Sequence, residues 1–273
     1  MADVRRMAIN QATTREQHTL RQAVECYAAH DVRGISVWRD KLADCGMVEA
    51  KTLLADNGMR VSGLCRAGGF PQSDAEGRQR AIDDTLAAID DAAALNADCL
   101  IVVGGGLPAG SRDLAGAHNM VRDGLAAVLP SARAAGVALA LEPLHPMYAA
   151  DRCVVNTLAH ALDLCDELGE GLGVAVDAYH VWWDPDLAAR IARAGERILA
   201  FHVCDWMVPT RDLLLDRGMM GDGVIDLPGM RAMVEAAGYD GLIEVEIFSA
   251  ENWWKRPGDE VVKTCVERLV RCV

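Results

Sequence analysis

The chain has 273 residues, 51% hydrophobic and 25% charged, with a formal net charge of −13; this is the usage of a globular domain large enough to bury a full apolar core without disulfides. So acidic a chain repels a phosphate backbone, which sets nucleic acid aside as a partner. No uncharged apolar run approaches the ~20 residues that span a bilayer, and the opening segment, with Asp3, Arg5 and Arg6 but no long apolar stretch, does not read as a signal peptide.

Short apolar runs alternate with longer amphipathic stretches. The first strand is predicted over residues 7–11, followed by a helical pattern over 14–30 and a second strand over 32–38. A third strand over 60–65 leads to a helix over 74–95, and a fourth over 99–104 to a helix over 113–135. A fifth over 137–142 precedes a helix over 156–168. Strands over 173–177, 199–204 and 242–248 complete the series, with a helix over 227–237 before the last. Gly58, Gly136, Gly169 and Gly238 stand where helices should end in a left-handed residue. Asn156 or Thr157 stands where the helix over 156–168 should start. Strands alternating with helices imply parallel pairing and right-handed crossovers. About 250 residues suffice to close eight such units, so the expected fold is α/β, a single (β/α)8 TIM barrel over residues 1–273. An open doubly wound sheet is the alternative. Its dinucleotide site needs a G-x-G-x-x-G turn after the first strand, and none follows residues 7–11.

The nine cysteines are odd in number, irregularly spaced and without a CxxC pair. They read as reduced thiols and point to the cytoplasm.

Polar residues at the strand ends carry the chemistry, because in such a barrel the C-terminal strand ends face the mouth. The fifth strand meets Glu142, the sixth Asp177, the seventh His202, and the eighth carries Glu244 and Glu246 on one face. A single acid at a strand end is more often a helix cap, and a lone histidine more often a core residue. Four such groups at consecutive strand ends converge in a closed barrel. Three carboxylates buried together would repel one another, and one divalent cation removes that conflict. Three oxygens and an imidazole suit Mn2+ first, then Mg2+, with Co2+, Fe2+ or Zn2+ also compatible.

Other residues border this mouth. Trp38-Arg39 closes the second strand and Cys65-Arg66 the third, so Trp38 and Arg66 are candidate substrate contacts. Asn10-Gln11 after the first strand is a weaker candidate. His145, three residues past Glu142, contacts substrate or orders its own loop. Trp182, Trp183, Trp206, Trp253 and Trp254 cluster in loops on the same side and suit a sugar ring or a subunit contact. The glycine run at 104–106 would admit a ligand to the backbone, but no lysine lies near it in sequence, so it carries no phosphate assignment.

At these residues the chain resembles the xylose-isomerase-like barrel superfamily, in its sugar isomerase/epimerase branch. The matching pieces are Glu142-Pro143, Asp177-Ala178-Tyr179-His180, Phe201-His202-Val203-Cys204-Asp205, Arg217 with Gly221-Asp222-Gly223, Gly238-Tyr239-Asp240-Gly241 and Glu246-Ile247-Phe248. The likeness is strong from Val137 onward and vague before it. It implies Glu142, Asp177, His202 and Glu246 as ligands of one metal ion, with Glu142 and Glu246 also the acid/base pair. It implies that His180 and Arg217 contact substrate oxygens. Glu244 is the rival for the last ligand; the family's Glu-x-Phe pattern favours Glu246 and leaves Glu244 a layer deeper, in a charge pair. The implied activity is a metal-dependent isomerase or epimerase of a sugar, keto-sugar or small hydroxy-keto acid, and the implied assembly a homo-oligomer. A cation chelated by a carbonyl and its neighbouring hydroxyl stabilises an enediolate while one carboxylate takes the proton and the other returns it. Loss of a β-hydroxyl from that enediolate would make the same site a lyase, such as a dehydratase of an inosose or a 3-keto-glycoside. An endonuclease-IV-like repair enzyme and a non-catalytic sugar-binding barrel are more remote. The former needs extra histidines on earlier strands, where this chain has Cys65-Arg66 and Gly104-Gly105-Gly106.

Overall fold

Eight parallel strands close into a barrel, each joined to the next through helices. The computed structural model describes residues 4–273. Met1, Ala2 and Asp3, part of the opening segment read above, lie outside them. The strands are β1 (Met7–Asn10), β2 (Gly34–Trp38), β3 (Arg60–Gly68), β4 (Leu100–Val103), β5 (Leu139–Leu141), β6 (Leu172–Asp177), β7 (Ile198–Val203) and β8 (Ile243–Val245). Ile243 of β8 pairs with Phe201 of β7 on one side and with Met7 of β1 on the other, which closes the ring. The expected (β/α)8 barrel is the fold observed.

The outer ring comprises α1 (Leu20–Ala29), α2 (Arg39–Cys45), α3 (Met47–Asp56), α4 (Ala75–Leu95), α5 (Leu114–Ala135), α6 (Leu158–Leu168), α7 (Ala178–Val181), α8 (Leu187–Ala194), α9 (Leu227–Ala236) and α10 (Gly258–Cys272). Local chemistry explains their ends. The helix predicted from residue 14 starts only at Leu20, because Thr19 and Gln22 form a reciprocal capping box there. Before it, Gln11–Thr14 forms a 3-10 turn. Asp74, Asp113 and Thr157 each cap their helix by accepting a backbone N–H three residues on. Thr157 is therefore the start of α6, rather than Asn156. Gly136 ends α5 at φ +68°, a left-handed conformation that glycine adopts without a Cβ clash.

The strand edges also differ from expectation. Regular pairing in β5 stops at Leu141 and in β8 at Val245. Glu142 and Glu246 therefore stand one residue beyond the last strand residue. β3 runs to Gly68, past the predicted end at Cys65, with a register shift against β4 between Leu64 and Ala67.

The main apolar core lies between strands and helices. A second, small cluster fills the barrel interior: Cys65, Cys99, Ile101, Ala140, Ala175 and Ala200. Strand side chains alternate, so each of these alanines shares a face with the residue two positions on. Those residues are Glu142, Asp177 and His202. Small side chains under three of the polar groups leave interior space, which Glu244 enters from β8. Among the described residues no helix is long and apolar enough to cross a membrane, and all nine cysteines are free thiols.

Candidate metal centre

Glu142, Asp177, His202 and Glu246 each offer one ligand atom, and these atoms lie within 4.8 Å of one another. All four are buried, between 0% and 6% exposed. Sheet register brings them together. Asp177 pairs directly with His202 across β6 and β7. The Glu142 N–H donates to Val102 O, and the Glu246 N–H to Val203 O. His202 Nδ1 lies 3.0 Å from Glu142 Oε1 and 3.9 Å from Glu246 Oε2. Yet His202 Nδ1, His202 Nε2 and Glu142 Oε1 are buried without a well-formed hydrogen bond. Buried polar atoms without partners are costly. Here His202 Nδ1 and Glu142 Oε1 turn from two strands toward the same point, with the ligand types a divalent cation takes. The residues fit such an ion.

Glu244 lies beneath the cluster. Its Oε1 accepts from Asn10 Nδ2 at 2.7 Å and its Oε2 from Ser62 Oγ at 2.6 Å. His202 Nε2 is 3.4 Å from Glu244 Oε1. With Nδ1 turned to the cluster and Nε2 to a buried carboxylate, His202 has the orientation by which outer carboxylates fix metal-binding imidazoles. Asn10 also donates to Glu246 Oε1 at 3.0 Å and accepts from Trp38 Nε1 at 2.6 Å. It ties both acids of β8 to the wall of the cavity.

Arg217 is 4% exposed and places Nη1 2.9 Å from Asp177 Oδ2 and 3.0 Å from Glu246 Oε2. Its guanidinium lies over the rings of Tyr179, at 4.4 Å, and Phe248, at 5.0 Å. Nη2 lies 3.1 Å from His180 Nε2. His180 Nδ1 accepts the backbone N–H of His145 at 3.2 Å, and its Nε2 faces Asp177 Oδ2, 3.5 Å away, as well as Arg217.

These contacts set the charges. Burial raises the Glu246 carboxyl to about 8, against the pull of Arg217 and His202. Burial would raise Asp177 too, but Arg217, His180 and His202 hold it down to about 2. Burial lowers His180 to about 3, so it is neutral. Burial would lower His202, but Glu244, Glu142 and Glu246 around it hold it well above the usual imidazole range. Near neutral pH the metal-free cluster therefore keeps a proton on Glu246 and a second positive site on His202. A cation must displace both. Its affinity is expected to rise roughly tenfold or more per pH unit up to about 8, with proton release visible by calorimetry in buffers of different ionisation enthalpy. A pH-independent affinity would overturn this charge assignment. Both raised groups bind protons more tightly folded than unfolded. The metal-free chain should therefore lose stability as pH rises between the ordinary carboxyl value of 4.5 and about 8.

The cluster opens into a cavity of about 250 Å³. Glu142, Glu246, His180, Arg217, Trp38 and Arg66 all border it, whereas Asp177 and His202 lie deeper. His145 does not border it. Its Nδ1 accepts the Met147 N–H, and its ring packs 5.7 Å from Trp183 and 5.0 Å from Trp206, so it orders its own loop. Of the five clustered tryptophans Trp254 lines the cavity, beside Trp38 of β2. Asn10, the weaker candidate closing β1, holds both acids of β8. Ser62 and Arg152 are contacts that strand-end reasoning did not find.

Asp205, close to His202 in sequence, is part of the scaffold. It is 1% exposed and accepts the N–H groups of Trp206, Gly221 and Ile225 at 2.9–3.0 Å. It thereby folds the Gly221-Asp222-Gly223 turn back on the barrel. Asp205→Ala should cost about 3 kcal/mol by stranding buried donors, measured by chemical denaturation. A loss below about 1 kcal/mol would show that water replaces the carboxylate.

Three comparisons bear on this site. The chain is 25% identical to an inosose isomerase of Halalkalibacterium halodurans, over 98% of this chain and 96% of that protein. It superposes on the crystal structure of protein SMc04130 from Sinorhizobium meliloti 1021 with a TM-score of 0.98 and 60% identity, covering 99% of each chain. It also superposes on the IolI protein with a bound zinc atom, with a TM-score of 0.84 and 21% identity over 97% of this chain and 96% of that one. A family model for the xylose isomerase-like TIM barrel matches residues 22–269, and the chain belongs to that family.

Proposed function

We propose that the chain is a divalent-metal-dependent isomerase or epimerase that moves a proton next to the carbonyl of a sugar, keto-sugar or small hydroxy-keto acid. The observation that carries this reading is the pair Glu142 and Glu246, which border one cavity beside the four-residue cluster. The relative from Halalkalibacterium halodurans, an inosose isomerase, supports it.

A bound divalent cation would polarise the substrate carbonyl and offset the charge that develops when the neighbouring C–H bond breaks. Glu142, Asp177, His202 and Glu246 would hold it. Glu142 Oε1 lies 3.0 Å from His202 Nδ1, and the carboxylate borders the cavity where a substrate proton would be taken. Glu246 is anchored by Asn10 on one oxygen and Arg217 on the other, so its carboxyl group keeps a fixed direction as it holds or releases one. The two acids come from β5 and β8, on opposite sides of β6 and β7, and so approach a substrate from different directions. Return of the proton to the adjacent carbon gives isomerisation; return to the other face gives epimerisation. His180 borders the same cavity and is placed to contact a substrate oxygen.

The test is a panel of ketoses, inososes and hydroxy-keto acids in D2O with added Mn2+, followed by NMR. Deuterium should appear beside the carbonyl of a true substrate. Loss of water from the same position would assign the lyase reaction instead. Saturable binding with no exchange in any compound would leave a binding protein and overturn the reading.

A further inference from the structure

Beside the main cavity lies an annexe of about 320 Å³, bordered by the glycine turns after β3 and β4 and by the loop after β5. Arg66 and Arg152 border both spaces. Arg66 sits near the end of β3 and is exposed, whereas Arg152 is half-buried. The loop holds Arg152 in place. Its N–H donates to Tyr148 O at 3.1 Å, and its guanidinium lies 5.5 Å over the Tyr148 ring.

Other arginines around the mouth are neutralised: Arg15 by Asp40, Arg39 by Asp84, and Arg217 by Asp177 and Glu246. Among the described residues no ion pair reaches Arg66 or Arg152. Two acids border the annexe. Asp84 is bound to Arg39 at 2.8 Å, and Asp151 is exposed. The space therefore keeps a net positive charge in a chain of net charge −13. Its floor is bare backbone. A Cβ on Gly105 would stand 2.7 Å from Gly69 Cα, and one on Gly106 2.5 Å from the Asp151 carbonyl carbon. Neighbouring backbone already occupies the Cβ position at both, so only glycine fits there. The glycine run had no nearby lysine in sequence; the fold brings Arg66 of β3 and Arg152 of the loop after β5 beside it.

We propose that the substrate carries an anionic group, a carboxylate or a phosphate ester, which extends from the main cavity into the annexe and is held by Arg66 and Arg152. The planar guanidinium matches either group with paired hydrogen bonds. A neutral sugar would leave both cations facing the ligand without a counter-charge. This inference rests on the proton-transfer reading of the same site, and two experiments separate them.

In the first, inorganic phosphate and acetate are titrated into metal-loaded wild type and the R66Q/R152Q variant by calorimetry. The wild type should bind at least one of them, about 10- to 100-fold more tightly than the variant does. Phosphate binding alone points to an ester, and acetate binding to an acid. Equal binding by both proteins, or none by the wild type, overturns the proposal. In the second, the D2O panel pairs each neutral hydroxyketone with its carboxylate or phosphate counterpart. The anionic member should exchange faster. Arg66→Gln and Arg152→Gln should each raise its KM by about 10-fold or more, with a smaller change in kcat. Faster exchange of the neutral members overturns the proposal while the proton-transfer reading survives. If nothing exchanges but anion binding still depends on the two arginines, the annexe stands and the proton-transfer reading falls.

Discussion

Glu246→Gln is expected to lower kcat by about 100- to 10,000-fold and to abolish deuterium wash-in, while a metal ion is still retained. An amide keeps the size and one oxygen of the carboxyl group, so the hydrogen bond from Asn10 Nδ2 at 3.0 Å survives. What disappears is a group whose proton affinity lies close to the working pH, raised by burial to about 8 in the metal-free chain. Glu142→Gln should show a loss of the same order for a different reason. Its carboxylate borders the cavity without an arginine or asparagine anchor, and an amide cannot accept and hold a proton there. Metal content, measured on the purified variants, separates a lost acid or base from a lost ligand. Near-normal exchange with a true substrate in either variant, still holding metal, would remove that residue from the acid/base pair.

The second large effect is on stability. Arg217→Met should destabilise the metal-free protein by about 3–5 kcal/mol. In a chain of this size that is roughly 10 °C in Tm. Removing the guanidinium strips the counter-charge from Asp177 and Glu246, both buried and both within 3.0 Å of Nη1. Glu246 can escape by keeping its proton. Asp177, held down to about 2 largely against its own burial, loses its strongest stabilising neighbour. A divalent cation held by the same two acids supplies positive charge at the same place, so the metal-loaded variant should lose less. Melting curves with chelator and with Mn2+ give the comparison. An equal drop in both would mean that Arg217 acts through its packing on Tyr179 and Phe248 instead.

The barrel was legible because its signals are regional: eight apolar runs, separated by helical periodicity and punctuated by glycines, outlast errors of a few residues at each boundary. Those errors have local causes. The first helix starts late because Thr19 and Gln22 form a capping box that the apolar pattern cannot reveal. The fifth and eighth strands end early, at Leu141 and Val245, with Glu142 and Glu246 each still donating one backbone hydrogen bond to the neighbouring strand. The convergence of Glu142, Asp177, His202 and Glu246 was readable because each lies at a strand end, and closure brings such ends together. Arg152 was not readable, since it lies ten residues past Glu142 in an irregular loop and reaches the annexe only through the placement of Tyr148. Asn10 sat in view at the end of β1, but nothing in sequence pairs it with residues more than 230 positions away. His145 shows the opposite case. Its closeness to Glu142 in sequence left substrate contact and loop ordering as equal readings, and the loop turns its ring onto Trp183 and Trp206.

Ala140, Ala175 and Ala200 give the centre a handle from below. Each is a one-carbon pedestal on the strand that bears a cluster residue. Lengthening one pedestal by a methyl or two would press on a single cluster residue from beneath, so the spacing of the four groups can be altered one strand at a time.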